Sequence, residues 1–184
     1  MSLLAVAVSG SPRTGSRTTA LVSAVLRRVA ELADARAALV EVAPVVPDLA
    51  ANPPAARADA TRRALELVES ADLLVVGSPS FNASYSGAFK MFVDALDPAT
   101  LRGVPVLLTA TGGSARHTLM IEQHLRPLFA HFRAATLPTT VYASAQELTP
   151  QGVTDPELRA RVAAAAAEAA AVLRARELLA LPSP

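Results

Sequence analysis

The sequence predicts an α/β fold: a five-stranded parallel sheet in the order 2-1-3-4-5 with helices on both faces. Three observations point to it. Short apolar runs without polar alternation recur along the chain, as in strands buried on both faces. Longer segments of helical period separate them, so the order reads βαβαβαβαβα, which right-handed crossovers wind into a parallel sheet. The chain has 184 residues, 52% apolar and 18% charged, the size and content of a single domain spanning residues 1–184. Five strands in that length suit the doubly wound order.

Leu3–Val8 is the first strand, stopped by Ser9-Gly10-Ser11-Pro12. Ser16 to Thr19 supply N-cap candidates, and Ala20, Leu21, Ala24, Val25, Leu26 and Val29 follow at helical spacing. Ala38–Val42 is the second strand. Pro44, Pro47, Pro53 and Pro54 predict a loop, because Pro fits neither a helix interior nor a central ladder. Asp59 to Ser70 is a helix, and Leu73–Val76 is the third strand, stopped by Gly77-Ser78-Pro79. A helix from Ser86 to Leu96 ends at Asp97-Pro98. Val104–Ala110 is the fourth strand; Thr111-Gly112-Gly113-Ser114 stops it, and one helix runs on to Phe132. Leu137–Tyr142 is the fifth strand. The last helix starts at Asp155-Pro156, a cap with Pro in the first turn, and runs through the Ala-rich segment to about Leu179.

Composition removes several classes of function. There is no Cys, so disulfides, thiolate chemistry and Cys-ligated metals are out, and a reducing cytoplasm fits. Formal net charge is +1, without the basic excess of a nucleic-acid binder. The apolar opening lacks a basic n-region and reads as a strand, not a signal peptide. No apolar run approaches the ~20 residues that span a membrane. Acidic residues show no calcium-loop spacing, and no metal site is expected.

In such sheets, ligands bind beyond the carboxyl ends of the strands at the switch point. That places chemistry in the loops after strands one, three and four. Each ends its strand in small, hydroxyl-rich residues. The first runs from Ser9 to Thr18. Its small residues let backbone N–H groups converge, Ser11, Ser16 and Thr18 add hydroxyls, and Arg13 and Arg17 can bond anionic oxygens. It feeds a helix N-terminus, which favours an anion, so a phosphate fits. The competing reading is a capped strand-to-helix turn with two solvated arginines. Neither a P-loop nor a dinucleotide fingerprint is present: Ser16 follows Gly15 where Lys is needed, and the third Gly is missing. In the second loop, the Pro79-Ser80-Phe81-Asn82 segment offers amides and Asn82 to the edge of a planar heterocycle, with Phe81 or Tyr85 against its face. Alternatively its aromatics plug the sheet edge. The third loop, Thr111-Gly112-Gly113-Ser114, offers free amides at another helix start, or is a plain turn.

Together these loops resemble the NADPH-dependent FMN reductase family, closest to the alkanesulfonate-associated flavin reductases. Gly10-Ser11-Pro12-Arg13 with Ser16 matches the opening motif. Pro79 followed by Tyr85-Ser86-Gly87, Lys90 and Asp94 matches the middle one, and Thr111-Gly112-Gly113-Ser114 with His117 and Leu125-Arg126-Pro127 the later one. The likeness covers roughly residues 3 to 142. It implies a flavodoxin-like three-layer sandwich. It implies that Ser11, Arg13, Ser16 and Thr18 hold the FMN phosphate, that Pro79 to Asn82 line the isoalloxazine, and that Gly112 to Ser114 close its other side. NAD(P)H would stack on the exposed face and pass hydride to the flavin, with no catalytic acid or base from the protein. Reduced FMN would go to a partner monooxygenase. Members that reduce quinones or azo dyes with bound FMN are the second reading, and a flavodoxin-type electron carrier the third; carriers are usually strongly acidic, unlike this chain. Some sulfonate-linked members carry an inserted Tyr in the fourth helix, where this chain has Gln123 and His124.

Other residues tempt. His117, His124 and His131 recur every seven residues, but two helical turns separate neighbours by ~10 Å, too far for one metal ion; interface or solvent roles are expected. Lys90 and Asp94 are spaced to pair on one helix. The large apolar groups between Ser86 and Leu96, with Phe129 and Phe132, exceed what one sheet face needs and predict a homodimer or homotetramer.

Overall fold

The computed structural model describes residues 3–50 and 57–180. Its elements are β1 (Leu4–Ser9), α1 (Arg17–Ala33), β2 (Arg36–Glu41), α2 (Val46–Leu49), α3 (Asp59–Glu69), β3 (Leu73–Pro79), α4 (Gly87–Val93), β4 (Pro105–Gly112), α5 (Arg126–His131), β5 (Ala135–Thr136), β6 (Val141–Ser144), β7 (Leu148–Thr149), β8 (Gly152–Val153) and α6 (Pro156–Ala180). The main sheet is parallel and runs β2-β1-β3-β4, with β5 and β6 sharing the fifth position beside β4. The order 2-1-3-4-5 therefore holds.

Alternation along the central strands sorts the core into two layers. Val6, Val8, Leu74, Val76, Val106 and Leu108 face α3, α4 and α5, where Phe89, Phe92 and Phe129 fill the layer. Ala5, Ala7, Leu73, Val75 and Leu107 face α1 and α6. On that side Ala165, Ala166, Ala169 and Ala170 are fully buried. The Ala-rich run is thus a packing surface that brings α6 close to its neighbours, as well as a good helix former. Asp155 opens α6: its Oδ1 accepts from Leu158 N at 2.8 Å.

Four local expectations are corrected. The predicted strand Leu137–Tyr142 is split: Val106 pairs with Thr136 and Thr109 with Val141, so residues 137–140 bulge out of the ladder. Pro138 lacks the N–H that the ladder needs. The proline-rich loop contains α2, because Pro47 sits in its first turn, where a missing N–H costs nothing; Pro53 and Pro54 lie outside the described residues. The predicted long fourth helix is three pieces: a 3₁₀ turn over Ala115–His117, a π-helical turn over Ile121–Leu125, and α5. Pro127 cannot donate to the preceding turn, and the Arg126 N–H reaches back to Ile121 O. Finally, the aromatic surplus is spent internally. Phe89 and Phe92 are fully buried, Phe129 and Phe132 nearly so, and the exposed large apolar groups nearby are Met91 and Leu119.

Candidate functional site

The carboxyl ends of β1, β3 and β4 lie side by side, so their loops share one rim, and specific bonds lock them together. Gly10 N donates to Gly77 O at 2.7 Å, and Ser80 N to Thr111 O at 2.6 Å. The buried hydroxyls of Thr18 and Thr111 meet at 2.7 Å, joining the first loop to the third. Ser86 caps α4: its Oγ accepts from Phe89 N at 3.0 Å and donates to Gly10 O at 2.5 Å, joining the second loop to the first. Ser78 Oγ in turn accepts from Ser86 N at 2.9 Å.

Close approach requires glycine at Gly10, Gly77 and Gly112; a Cβ on Gly77 would lie 2.5 Å from Val22 Cγ1 and 2.6 Å from Thr109 Oγ1. A Cβ on Gly10 would lie 2.6 Å from Phe89 Cδ2, and one on Gly112 would lie 2.0 Å from the Tyr142 hydroxyl. Tyr142 donates to Ser114 O at 2.6 Å and so fixes the third loop. Burial, aided by the charge of Glu147, pushes the Tyr142 phenol above its ordinary pKa.

Between the loops lies a cavity of about 100 Å³, lined by Ser11, Arg13, Ser16, Arg17, Thr18, Pro79, Ser80, Phe81, Thr111, Gly112 and Gly113. Of the residues singled out from sequence in the three loops, Asn82, Tyr85 and Ser114 lie outside this lining. Asn82 and Ala83, at φ of 49° and 66°, form a tight turn closed by the Phe81–Ser84 bridge. Both central residues at positive φ make it the mirror-image turn of two-residue hairpins. Ser114 lines an adjoining cavity with Gly113, Tyr142, Glu147 and Arg161. Ala83 bears the strain of a left-handed conformation better suited to Gly. Ala83→Gly is expected to stabilise the protein by about 1 kcal/mol and raise Tm by roughly 2–4 °C in a thermal melt; an unchanged or lower Tm would contradict that strain.

The chemistry of this rim is cationic and donor-rich at one end and apolar at the other. Ser16 caps α1, accepting from Thr19 N at 3.1 Å, and turns the helix N-terminus toward the cavity. Among the described residues neither Arg13 nor Arg17 is in an ion pair. The lining is made of hydroxyls, two guanidinium groups and small or apolar side chains. Ser80 Oγ is buried without a hydrogen-bond partner. A buried hydroxyl left unpaired is costly, and a polar ligand edge beside it would remove that cost.

Sequence reasoning missed Glu41. At the end of β2, its Oε1 accepts from Gly15 N at 2.9 Å and from the Thr19 hydroxyl at 2.8 Å, shaping the first loop. The signal available was the strand order, which seats the end of strand two beside the loop after strand one. The three histidines do not act together. His124 Nδ1 lies 3.3 Å from Ser84 Oγ, with its ring edge-on to Tyr85, whereas His131 stacks edge-on to Phe132. Lys90 and Asp94 do pair, at 2.6 Å, and the hydrogen bond that the Lys90 ammonium donates to Asp94 raises its pKa.

The family model described as NADPH-dependent FMN reductase matches residues 3–148. The NADH-dependent FMN reductase SfnF of Pseudomonas putida is 44% identical over 153 residues, 82% of each chain. The FMN reductase (NADPH) of Pseudomonas aeruginosa is 39% identical over 95% of this chain and 94% of its own. An oxidoreductase structure from Corynebacterium diphtheriae superposes with a TM-score of 0.83 at 31% identity, covering 94% of this chain and 97% of that one. A WrbA-like flavodoxin from Agrobacterium tumefaciens, at TM-score 0.63 and 18% identity over 95% and 99% of the chains, shares the fold.

Proposed function

Because this chain belongs to the NADPH-dependent FMN reductase family, we propose that the rim of β1, β3 and β4 holds FMN while NAD(P)H delivers hydride to it. The enzyme is an NAD(P)H-dependent FMN oxidoreductase of flavodoxin-like fold, and FMN and NAD(P)H are its flavin substrate and reductant. The observation that carries the assignment of residues is the single cavity shared by all three loops. The bound flavin supplies the hydride-accepting chemistry; the protein binds, orients and shields. Ser11, Arg13, Ser16, Arg17, Thr18 and the α1 N-terminus take the phosphate. The segment from Pro79 to Phe81, with Ser80 Oγ unpaired, takes one edge of the isoalloxazine. Gly112 and Gly113 close the other side, Gly112 leaving room for the Tyr142 hydroxyl behind it, and Thr111 ties that side to Thr18. Asn82 acts by holding the turn, and Ser114 by anchoring its carbonyl to Tyr142.

The cavity of about 100 Å³ encloses far less than the ~300–1,000 Å³ of a pocket that swallows its ligand. The adjoining cavity at Gly113 and Ser114 extends this space beside the third loop. Delivery of reduced FMN to a partner monooxygenase is part of this reading. So is a homodimer or homotetramer, supported by exposed Met91 and Leu119, and a cytoplasmic setting, supported by the cysteine-free chain. The chain acts as one domain over residues 1–184.

The test is steady-state oxidation of NADH and NADPH by the purified chain at increasing FMN. Saturable, FMN-dependent oxidation is expected. Bound FMN without any NAD(P)H oxidation would instead identify a carrier.

A further inference from the structure

The first loop carries a carboxylate that the binding scheme above does not use. Glu41 ends β2 beside Ser9 of β1. Its Oε1 accepts from Gly15 N at 2.9 Å and from the Thr19 hydroxyl at 2.8 Å. Both donors belong to the turn and helix start assigned to the flavin phosphate. Among the described residues Glu41 has no ion-pair partner. Arg13 and Arg17, the cations of the same loop, line the cavity instead. The negative charge is therefore not neutralised where it stands.

The hydroxyl protons show what this charge does to the loop. A hydroxyl has one proton to give. Thr19 gives its proton to Glu41, so it is the acceptor in its contacts with Ser9 Oγ at 2.8 Å and Ser16 Oγ at 3.1 Å. Ser16 lines the cavity, yet its proton turns inward to Thr19, and its oxygen accepts from Thr19 N. The Gly15 N–H is likewise spent on Glu41. The carboxylate thus draws two donors away from the cavity and sets a negative charge two hydrogen bonds from Ser16. Both effects oppose an anion. A neutral acceptor in this place would brace the turn equally without repelling a phosphate.

We propose that Glu41 is a positioning residue that loosens the grip of the first loop on the flavin phosphate, by its charge and by holding Gly15 and Ser16 turned inward, and so sets how readily FMN leaves. The inference rests on the placement of the phosphate at this loop. It makes Glu41 a counterweight to Arg13 and Arg17, which pull the same phosphate in.

The test is Glu41→Gln, which keeps an acceptor oxygen in place and removes the charge. The purified full chain, wild type and variant, is titrated with FMN and with riboflavin at about pH 8, where a phosphate monoester is a dianion, in low and in high salt. The variant is expected to bind FMN about three- to tenfold more tightly, the scale of one partly exposed charge, and riboflavin within about twofold of wild type. FMN dissociation, followed after dilution, should slow by a similar factor. Added salt should weaken FMN binding more steeply in the variant, because the charge left facing the phosphate is more positive. Glu31→Gln changes the net charge equally but lies roughly 20 Å along α1 from Arg17, so FMN binding should stay as in wild type. The proposal is overturned if Glu41→Gln binds FMN no more tightly than wild type, which would make Glu41 a strut for the turn. It is overturned equally if riboflavin gains as much as FMN, or if Glu31→Gln has the same effect. If wild type itself binds FMN and riboflavin alike, the phosphate assignment fails, and this proposal with it. That result is distinct from a wild type that prefers FMN by a margin Glu41 does not alter.

Discussion

Replacing Arg13 and Arg17 together by alanine is expected to weaken FMN binding by two orders of magnitude or more, with the melting temperature almost unchanged. The two guanidinium groups line the cavity beside the α1 N-terminus, and among the described residues neither is in an ion pair. Their removal therefore breaks no internal bridge. A hydrogen bond to a charged group is worth about 1.5–3 kcal/mol, so losing two corresponds to about 10²–10⁴ in Kd. The helix N-terminus remains and sets a floor under the loss. The loss should appear in a flavin titration and in KM for FMN, while kcat at saturating FMN changes far less, as expected of groups that would bind substrate and transition state alike. A double variant that binds FMN as wild type does would remove the first loop from the site.

Gly10→Ala should produce a large stability loss. The new Cβ would sit 2.6, 2.7 and 2.8 Å from Cδ2, Cβ and Cγ of Phe89. Phe89 is fully buried in the first turn of α4, with Tyr85 edge-on at 6.0 Å and Phe129 tilted at 6.4 Å. Its Cβ is fixed to the helix backbone, so α4 or the first loop must move. Overpacking of this kind costs about 1–3 kcal/mol, or roughly 2–10 °C in Tm for a chain of this size. The move also strains the bond from Ser86 to Gly10 O, which couples loop one to loop two, so FMN affinity should fall as well. Gly87→Ala is the control. Nothing lies within 4 Å of its Cβ, and it opens a helix, so stability should hold or rise slightly. Equal melting of the two variants would show that Gly10 is not under this constraint.

Most of the sheet was readable because its strands are short apolar runs between Gly, Ser and Pro, and buried parallel strands carry little else. What escaped depends on partners distant in sequence. The break around Pro138 follows from a donor missing at one rung of a ladder, which a run of apolar and β-branched residues conceals. The π-helical turn before Pro127 needed the Arg126 side chain as well: it bonds Thr136 Oγ1 at 2.9 Å and Leu137 O at 3.0 Å, tying that turn to the β5 edge. In the site, the three loops announced themselves by composition, but their mutual locks did not. Neither the Glu41 carboxylate on Gly15 nor the Tyr142 hydroxyl on Ser114 O is visible until strand order places their elements at the rim. Asn82 shows the converse. Its amide side chain suggested a ligand, and its positive φ adds a demand of the backbone turn that the sequence did not show.

The direct test of the account is to titrate the purified protein with FMN and with riboflavin, which differ only in the 5′-phosphate. If the turn at Ser11 to Thr18 grips that ester, FMN should bind at least about a hundredfold more tightly, a gap near 2.7 kcal/mol. Equal affinity for the two flavins would contradict a phosphate at this loop, and the division of labour among the three turns with it.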